Sequence, residues 1–147
     1  MGKVVALPPR TTSERELPLQ LLLADDVARM RSLLASCARE AIDGLVVIEA
    51  ADGAEAIQRA LQRRPQFALL DVNMRPLGGI EAALTLRELL PDIRLALQTN
   101  NPYAHRGLAR EHRLPLFDKG DFDHALAWIL SQVRWPAGRR SEAELTR

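Results

Sequence analysis

Short apolar runs alternate along this chain with segments of helical periodicity. The runs are "LPLQLLLADD", "LVVIEA", "FALLD", "IRLALQT" and "LPLFDK", and each is followed by apolar residues three or four positions apart. Strands buried on both faces of a parallel sheet have such runs, and helices packed on a sheet have such periods. Right-handed crossovers place those helices on both faces. The sequence therefore predicts an α/β fold, a doubly wound parallel sheet of five strands with five helices.

Apolar stripes predict which faces of the first and last helices are buried. The first helix has its stripe at Val27, Met30, Leu34, Cys37 and Ala41. The last helix has its stripe at Phe122, Leu126, Ile129 and Val133, with His124, Trp128 and Trp135 projecting to nearly the opposite side. We therefore expect Cys37 in the core. An exposed pair of tryptophans would indicate a partner surface, and the alternative is that Trp128 folds over a neighbouring helix.

Length and composition are those of one soluble domain. We expect a flexible leader at 1–16, one domain at 17–133 and a short tail at 134–147, too short to be an output domain. The net charge of +1 gives no reason to expect direct binding of nucleic acid. No apolar stretch approaches the roughly 20 residues of a membrane span, and no signal peptide is recognisable. These features predict a cytoplasmic protein without membrane contact.

Acids, a hydroxyl and an ammonium follow four of the predicted strands. Asp25 and Asp26 end the first, Asp71 the third, Thr99 the fourth and Lys119 the fifth. The carboxyl ends of parallel strands meet at one edge of the sheet, which is where such folds bind ligands. Three crowded carboxylates repel one another unless a hard dication neutralises them. The pattern predicts a site for Mg²⁺ or Mn²⁺ at which one carboxylate could attack phosphorus.

The motifs "LLLADD", "LLDVNMRPLGGIEA", "LALQT" and "LFDKGDF", in this order and spacing, resemble the receiver domain of bacterial two-component response regulators. The resemblance spans roughly residues 17–133 and implies a flavodoxin-like sheet of strand order 2-1-3-4-5. It implies that Asp71 is the phospho-acceptor, Asp26 a direct metal ligand and Asp25 a ligand chiefly through water. It further implies that Asn73 binds the metal through its backbone carbonyl.

The same resemblance implies a mechanism and partners. A sensor histidine kinase or a histidine phosphotransfer protein would donate the phosphoryl group, and Thr99 and Lys119 would hold its oxygens. The domain would assist its own phosphorylation and slow dephosphorylation without being a turnover enzyme. Its signal would pass onward by phosphorelay or to a downstream protein, through the fourth helix, fifth strand and fifth helix with Trp128. A homodimer is left open.

Five residues depart from the family's pattern. Arg75 stands where proline is usual, and Gly78 replaces a common acidic residue. Asn100 replaces a small residue after Thr99, so we expect altered kinetics of phosphorylation or dephosphorylation. Gly120 replaces a proline after the lysine, and Leu116 occupies the usual position of an aromatic switch residue. The family's coupling of threonine to an aromatic ring is therefore not expected here.

Those departures favour one alternative, a receiver-like adaptor that binds partners without being phosphorylated. A second alternative is a metal-dependent phosphohydrolase, although the first strand lacks the acid two positions beyond a nucleophilic aspartate that such enzymes commonly use. The strand-end acids could also simply cap helices. The three histidines, His105, His112 and His124, lack the spacing of a zinc site and are interpreted as surface groups.

Overall fold

The computed structural model describes residues 5–7 and 18–133. Five strands form in these residues: β1 (Gln20–Ala24), β2 (Val46–Ala50), β3 (Phe67–Asp71), β4 (Arg94–Thr99) and β5 (Leu116–Asp118). Five α-helices alternate with them: α1 (Ala28–Ala41), α2 (Gly53–Arg63), α3 (Gly79–Leu89), α4 (Pro102–Glu111) and α5 (Phe122–Gln132). A 3₁₀ turn, Lys119–Asp121, joins β5 to α5. The predicted alternation of strands and helices is confirmed.

All strands pair in parallel, in the order β2-β1-β3-β4-β5. This order confirms the predicted doubly wound sheet. The register pairs Ala24 with Leu70, and Asp71 with Gln98 on β4. Since every strand runs the same way, the residues that follow β1, β3, β4 and β5 all lie at one edge of the sheet.

The core has one apolar cluster on each face of the sheet. Residues of β1 alternate between the clusters, with Leu22 facing α2, α3 and α4 and Leu21 facing α1 and α5. The central strand β3 is buried along its whole length, as its unbroken apolar run predicts. Helices therefore cover both faces of the sheet, and a ligand can approach at the carboxyl edge of the strands.

The predicted buried stripe of α1 is confirmed in part: Leu34 lies in the core, but the buried face is rotated by about one residue. Cys37 is exposed and Val27 is 53% exposed, whereas Leu34, Ala35 and Ala38 are buried. The two alanines explain the difference, because small side chains let the helix backbone approach the sheet closely and so take the inner face. The spacing of the larger apolar residues indicates instead the adjacent face of α1, which includes Val27 and Cys37.

The expectation that Trp128 is exposed is also wrong. The indole is half-buried, and its ring lies edge-on to Phe67 at a centroid distance of 5.5 Å and tilted against Phe117 at 5.8 Å. Trp128 therefore packs on the sheet, against β3 and β5, and not over a neighbouring helix as the alternative held. His124 is exposed as expected, and Trp135 lies outside the described residues.

The predicted leader and tail lie almost wholly outside the described residues, so their extents stay predictions. Residues 5–7 are the described part of the leader, and Leu7 packs against the core there and donates its N–H to the carbonyl of Leu89 at 2.8 Å. No helix in the described part of the chain is long and apolar enough to cross a membrane.

Candidate phosphorylation site

The predicted site residues lie together at the carboxyl edge of the sheet. Asp25 follows β1, Asp71 ends β3, Thr99 ends β4 and Lys119 follows β5, and all four side chains are buried. Asp26 is exposed at the rim of the same site. Buried charged side chains are uncommon unless they are paired, so the pairing within this group decides its chemistry.

Lys119 bridges two of the acids. Its Nζ lies 2.7 Å from Oδ2 of Asp25 and 2.8 Å from Oδ2 of Asp71. The contact with Asp71 is a hydrogen bond, whereas the contact with Asp25 is an ion pair by distance whose angles fall short of a hydrogen bond. One buried cation therefore faces two buried anions, which leaves the site negative by one charge before Asp26 is counted.

Backbone groups orient the remaining oxygens of the two buried acids. Oδ1 of Asp25 accepts the N–H of Val27 at 2.9 Å, and Oδ1 of Asp71 accepts the N–H of Asn73 at 3.1 Å. Arg31 donates to the backbone carbonyl of Asp25 at 2.8 Å, so the chain after β1 is also fixed. Both carboxylates are thereby held at fixed angles, as expected of groups that must act on a ligand.

A close approach of α3 to β3 fixes the acceptor strand. A side chain at Gly79, the first residue of α3, would overlap the backbone carbonyl of Asp71. Glycine therefore lets the N-terminus of α3 lie directly against the end of β3. The preceding Gly78, which departs from the family's acidic residue, is the N-cap of this helix.

Burial and charge move two pKa values in the site. Burial raises the pKa of Asp71 above its usual 3.8, and the opposing effect of Lys119 and of the Asn73 N–H does not cancel that rise. Burial alone would lower the pKa of Lys119, but its contacts with Asp25 and Asp71 outweigh burial and raise that pKa. Lys119 is therefore a permanent cation at neutral pH.

The acids suit a small hard dication. One carboxylate oxygen each from Asp25, Asp26 and Asp71 lie within 4.8 Å of one another. Mg²⁺ binds oxygens at about 2.0–2.1 Å, so ligands on opposite sides of one ion are about 4.2 Å apart. The three oxygens thus fit around one ion with little movement. Asn73 donates its N–H to Asp71, and the predicted role of the Asn73 carbonyl as a metal ligand stays a prediction.

Thr99 and Asn100 border the site from β4. The hydroxyl oxygen of Thr99 accepts the N–H of Asn101 at 3.1 Å, which fixes the buried side chain at the end of the strand. Asn100 is exposed and lines a groove of about 500 Å³ that it shares with Lys119 and with residues of α1. Asn100 therefore lies at the entrance of the site, and its predicted effect on the rates of phosphorylation and dephosphorylation stays a prediction.

The sequence interpretation missed one contact, made by His105. Its Nε2 lies 3.4 Å from the side-chain nitrogen of Asn73, so α4 contacts the loop that follows the acceptor strand. His105 is half-buried and was interpreted as a surface group. Nothing in its spacing indicated otherwise, because the contact joins positions 32 residues apart. Among residues 5–7 and 18–133, the acids Asp25, Asp26 and Asp71 are the only set of three potential metal ligands close together.

Comparison with known proteins identifies the family. A family model described as the response regulator receiver domain matches residues 21–111, more than half of the chain. The chain belongs to this family. The receiver domain is thus established from the sequence, and the site just described lies at the edge where its motifs converge.

Curated relatives of the receiver domain are longer proteins. The chain is 32% identical over 91 residues to the transcriptional activator protein ExaE of Pseudomonas putida, covering 62% of this chain and 42% of that protein. It is 37% identical over 76 residues to the transcriptional regulatory protein PdtaR of Mycobacterium tuberculosis, covering 51% and 36%. The match therefore spans less than half the length of these relatives.

Solved structures share the receiver fold. The REC domain of AraT, a response regulator from Geobacillus stearothermophilus, superposes with a TM-score of 0.64 at 25% identity, covering 77% of this chain and 93% of that one. The response regulator TrrA from Thermotoga maritima, in complex with Mg²⁺ and BeF, gives a TM-score of 0.69 at 21% identity, covering 78% and 99%. The flavodoxin-like fold inferred from the sequence is confirmed.

Proposed function

We propose that this receiver domain accepts a phosphoryl group on Asp71 from a histidine kinase or a histidine phosphotransfer protein. The observation that carries the proposal is the setting of Asp71, buried at the end of the central strand between an ammonium and a backbone N–H, with two further carboxylates beside it. Membership of the family and the Mg²⁺ and BeF bound to its structural neighbour TrrA support the same chemistry.

The residues have distinct parts in the transfer. An oxygen of Asp71 forms the bond to phosphorus while the bond from phosphorus to the donor's imidazole nitrogen breaks, and that nitrogen keeps the electron pair. Mg²⁺ or Mn²⁺, held by Asp25, Asp26 and Asp71 with the carbonyl of Asn73, would neutralise charge on the transferred oxygens. Lys119 then moves from the carboxylate to a phosphoryl oxygen.

Thr99 completes the phosphoryl contacts. Its hydroxyl accepts one N–H in the structure and still has a proton to donate, which suits an anionic phosphoryl oxygen. The new dianion therefore gains a donor on β4 and a cation after β5. Such contacts shift the equilibrium between two surface states, which is how a phosphorylated receiver could signal to a partner or pass its phosphoryl group onward.

The groove beside Lys119 offers the donor a path to Asp71. It opens between α1 and the turn that leads into α5, and Met30, Leu33 and Asn100 are among its lining residues. Leu33 is 58% exposed and Val27 is 53% exposed, so exposed apolar side chains border the acidic site. We propose this face for the phosphoryl donor.

Labelling with a phosphohistidine donor and Mg²⁺ tests the proposal. We expect the wild-type chain to incorporate one phosphoryl group and Asp71→Asn to incorporate none. Asp43→Asn is the matched control, because Asp43 is an exposed aspartate in the turn before β2, the far edge strand. Equal incorporation by wild type and Asp71→Asn would show that Asp71 is not the acceptor.

One observation favours the adaptor alternative. Lys119 already neutralises much of the charge of Asp25 and Asp71, so the site can persist without a dication. A receiver that acts only as an adaptor would bind its partner equally well as wild type and as Asp71→Asn, with or without Mg²⁺. A signalling receiver would lose partner binding in Asp71→Asn.

A further inference from the structure

A glutamine lies buried inside the run "LALQT" of β4. Gln98 is completely buried, and neither its Oε1 nor its Nε2 has a hydrogen-bond partner among the described residues. A buried amide without partners costs about 1–3 kcal/mol. The residues before it, Leu95, Ala96 and Leu97, show that the core accepts apolar side chains on this strand. The cost of Gln98 therefore calls for a compensating role.

The sheet register places Gln98 directly beside the phospho-acceptor. Asp71 pairs with Gln98, and Gln98 pairs with Phe117 on β5. Side chains in register on adjacent strands point to the same face, so those of Asp71 and Gln98 are neighbours about 5 Å apart at their backbones. Lys119 follows in the 3₁₀ turn after β5 and lines a groove with Leu34 and Phe122, which belong to the apolar cluster on the same face.

The path of Lys119 also passes Gln98. Lys119 follows β5, yet its ammonium contacts Asp71 on β3 and Asp25 after β1. Since β4 lies between β5 and β3, the lysine side chain must pass the carboxyl end of β4, where Gln98 is the penultimate residue. A carbonyl oxygen and an NH₂ group without partners thus lie next to a cation and a carboxylate that exchange partners on phosphorylation.

We propose that Gln98 is a further hydrogen-bonding residue of the phosphorylated site. Its Nε2 would donate to an oxygen on phosphorylated Asp71, and its Oε1 would accept from the ammonium of Lys119. This inference rests on the proposed phosphorylation of Asp71 and adds a third side chain to the contacts of Thr99 and Lys119. The free energy lost to an unpaired amide in the unphosphorylated state then favours the phosphorylated state.

Substitution of Gln98 by methionine tests the proposal, because methionine keeps the length of the side chain and removes both polar atoms. Gln62→Met, at an exposed position of α2, is the control. The probes are Mg²⁺ alone and Mg²⁺ with beryllofluoride, a mimic of the phosphoryl group. For Gln98→Met we expect unchanged Mg²⁺ affinity, beryllofluoride affinity lower by about tenfold or more, and a melting temperature without ligand equal to or above that of wild type.

Two results would overturn the inference. One is beryllofluoride affinity of Gln98→Met within about twofold of wild type, measured where wild type binds normally. The other is a lower melting temperature of Gln98→Met without ligand, since that would show that the amide already has a partner. In wild type, we expect the side-chain amide resonances of Gln98 to shift on adding beryllofluoride. If wild type itself binds no beryllofluoride and takes up no phosphoryl group, the proposed function fails and not this inference alone.

Discussion

Replacing Lys119 by methionine should destabilise the metal-free protein strongly. The side chain of Lys119 is 4% exposed, and those of Asp25 and Asp71 are 0% and 5% exposed. Removal of one partner from a buried ion pair costs about 3–5 kcal/mol, because the other charge is left without compensation. Here two carboxylates lose the same cation and then repel each other. We therefore expect the upper part of that range, equivalent to a fall in melting temperature of roughly 10 °C or more for a domain of this size.

The assay is urea unfolding with a chelator present and again with Mg²⁺. Arg110→Met, an exposed cation on α4, controls for the loss of a positive charge and should cost less than about 0.5 kcal/mol. Mg²⁺ should stabilise Lys119→Met more than it stabilises wild type, since a dication replaces the missing charge. Adding Asp71→Asn to Lys119→Met should recover stability for the same reason.

Two results would refute this reasoning. If Lys119→Met loses no more stability than Arg110→Met in chelator, the ion pairs of Lys119 contribute nothing net to the fold. If Asp71→Asn makes Lys119→Met still less stable, repulsion between the acids is not the cause of the loss.

Three further predictions concern Asp71, Gly79 and Trp128. Because burial raises the pKa of Asp71, the folded protein binds its proton more tightly than the unfolded chain; metal-free stability should therefore fall as pH rises from 3.8 through the folded pKa. Asp71→Asn should flatten that part of a urea-unfolding pH profile, and an unchanged slope would contradict the shift. Gly79→Ala should lower the free energy of unfolding by about 1–3 kcal/mol, because the added methyl overlaps the carbonyl of Asp71. It should also reduce phosphoryl uptake measured by intact mass, whereas Gly107→Ala, at an exposed position with open space around it, should not. Trp128→Ala should lower the free energy of unfolding by about 2 kcal/mol or more, measured by thermal unfolding, without changing Mg²⁺ affinity. Weaker Mg²⁺ binding by this variant would contradict the view that Trp128 stabilises the fold but not the site.

Much of the fold follows from the sequence because each element repeats one physical pattern. The run "FALLD" predicts β3 to the residue, since a central parallel strand is apolar on both faces and its end is marked by a charge. The site residues follow from the same topology, because parallel strands deliver their last residues to one edge. The positions of Asp25, Asp71 and Lys119 therefore needed no contact information.

Packing decided what periodicity could not. The inner face of α1 depends on two alanines that approach the sheet, and the fate of Trp128 depends on the aromatic rings of Phe67 and Phe117 on other elements. Contacts between distant positions, such as that of His105 with Asn73, leave no local signal. Gln98 is visible in the sequence as a polar residue in an otherwise apolar run, but its position beside Asp71 follows only from the sheet register.

Intact-mass measurement followed by peptide mapping, after incubation with a small-molecule acyl phosphate and Mg²⁺, tests the central claim most directly. Phosphorylation at the buried acid predicts the added mass of a single phosphoryl group, on the peptide that contains Asp71, and its loss when a chelator replaces Mg²⁺. A folded protein that gains no mass, or gains it on a peptide without Asp71, would contradict the account.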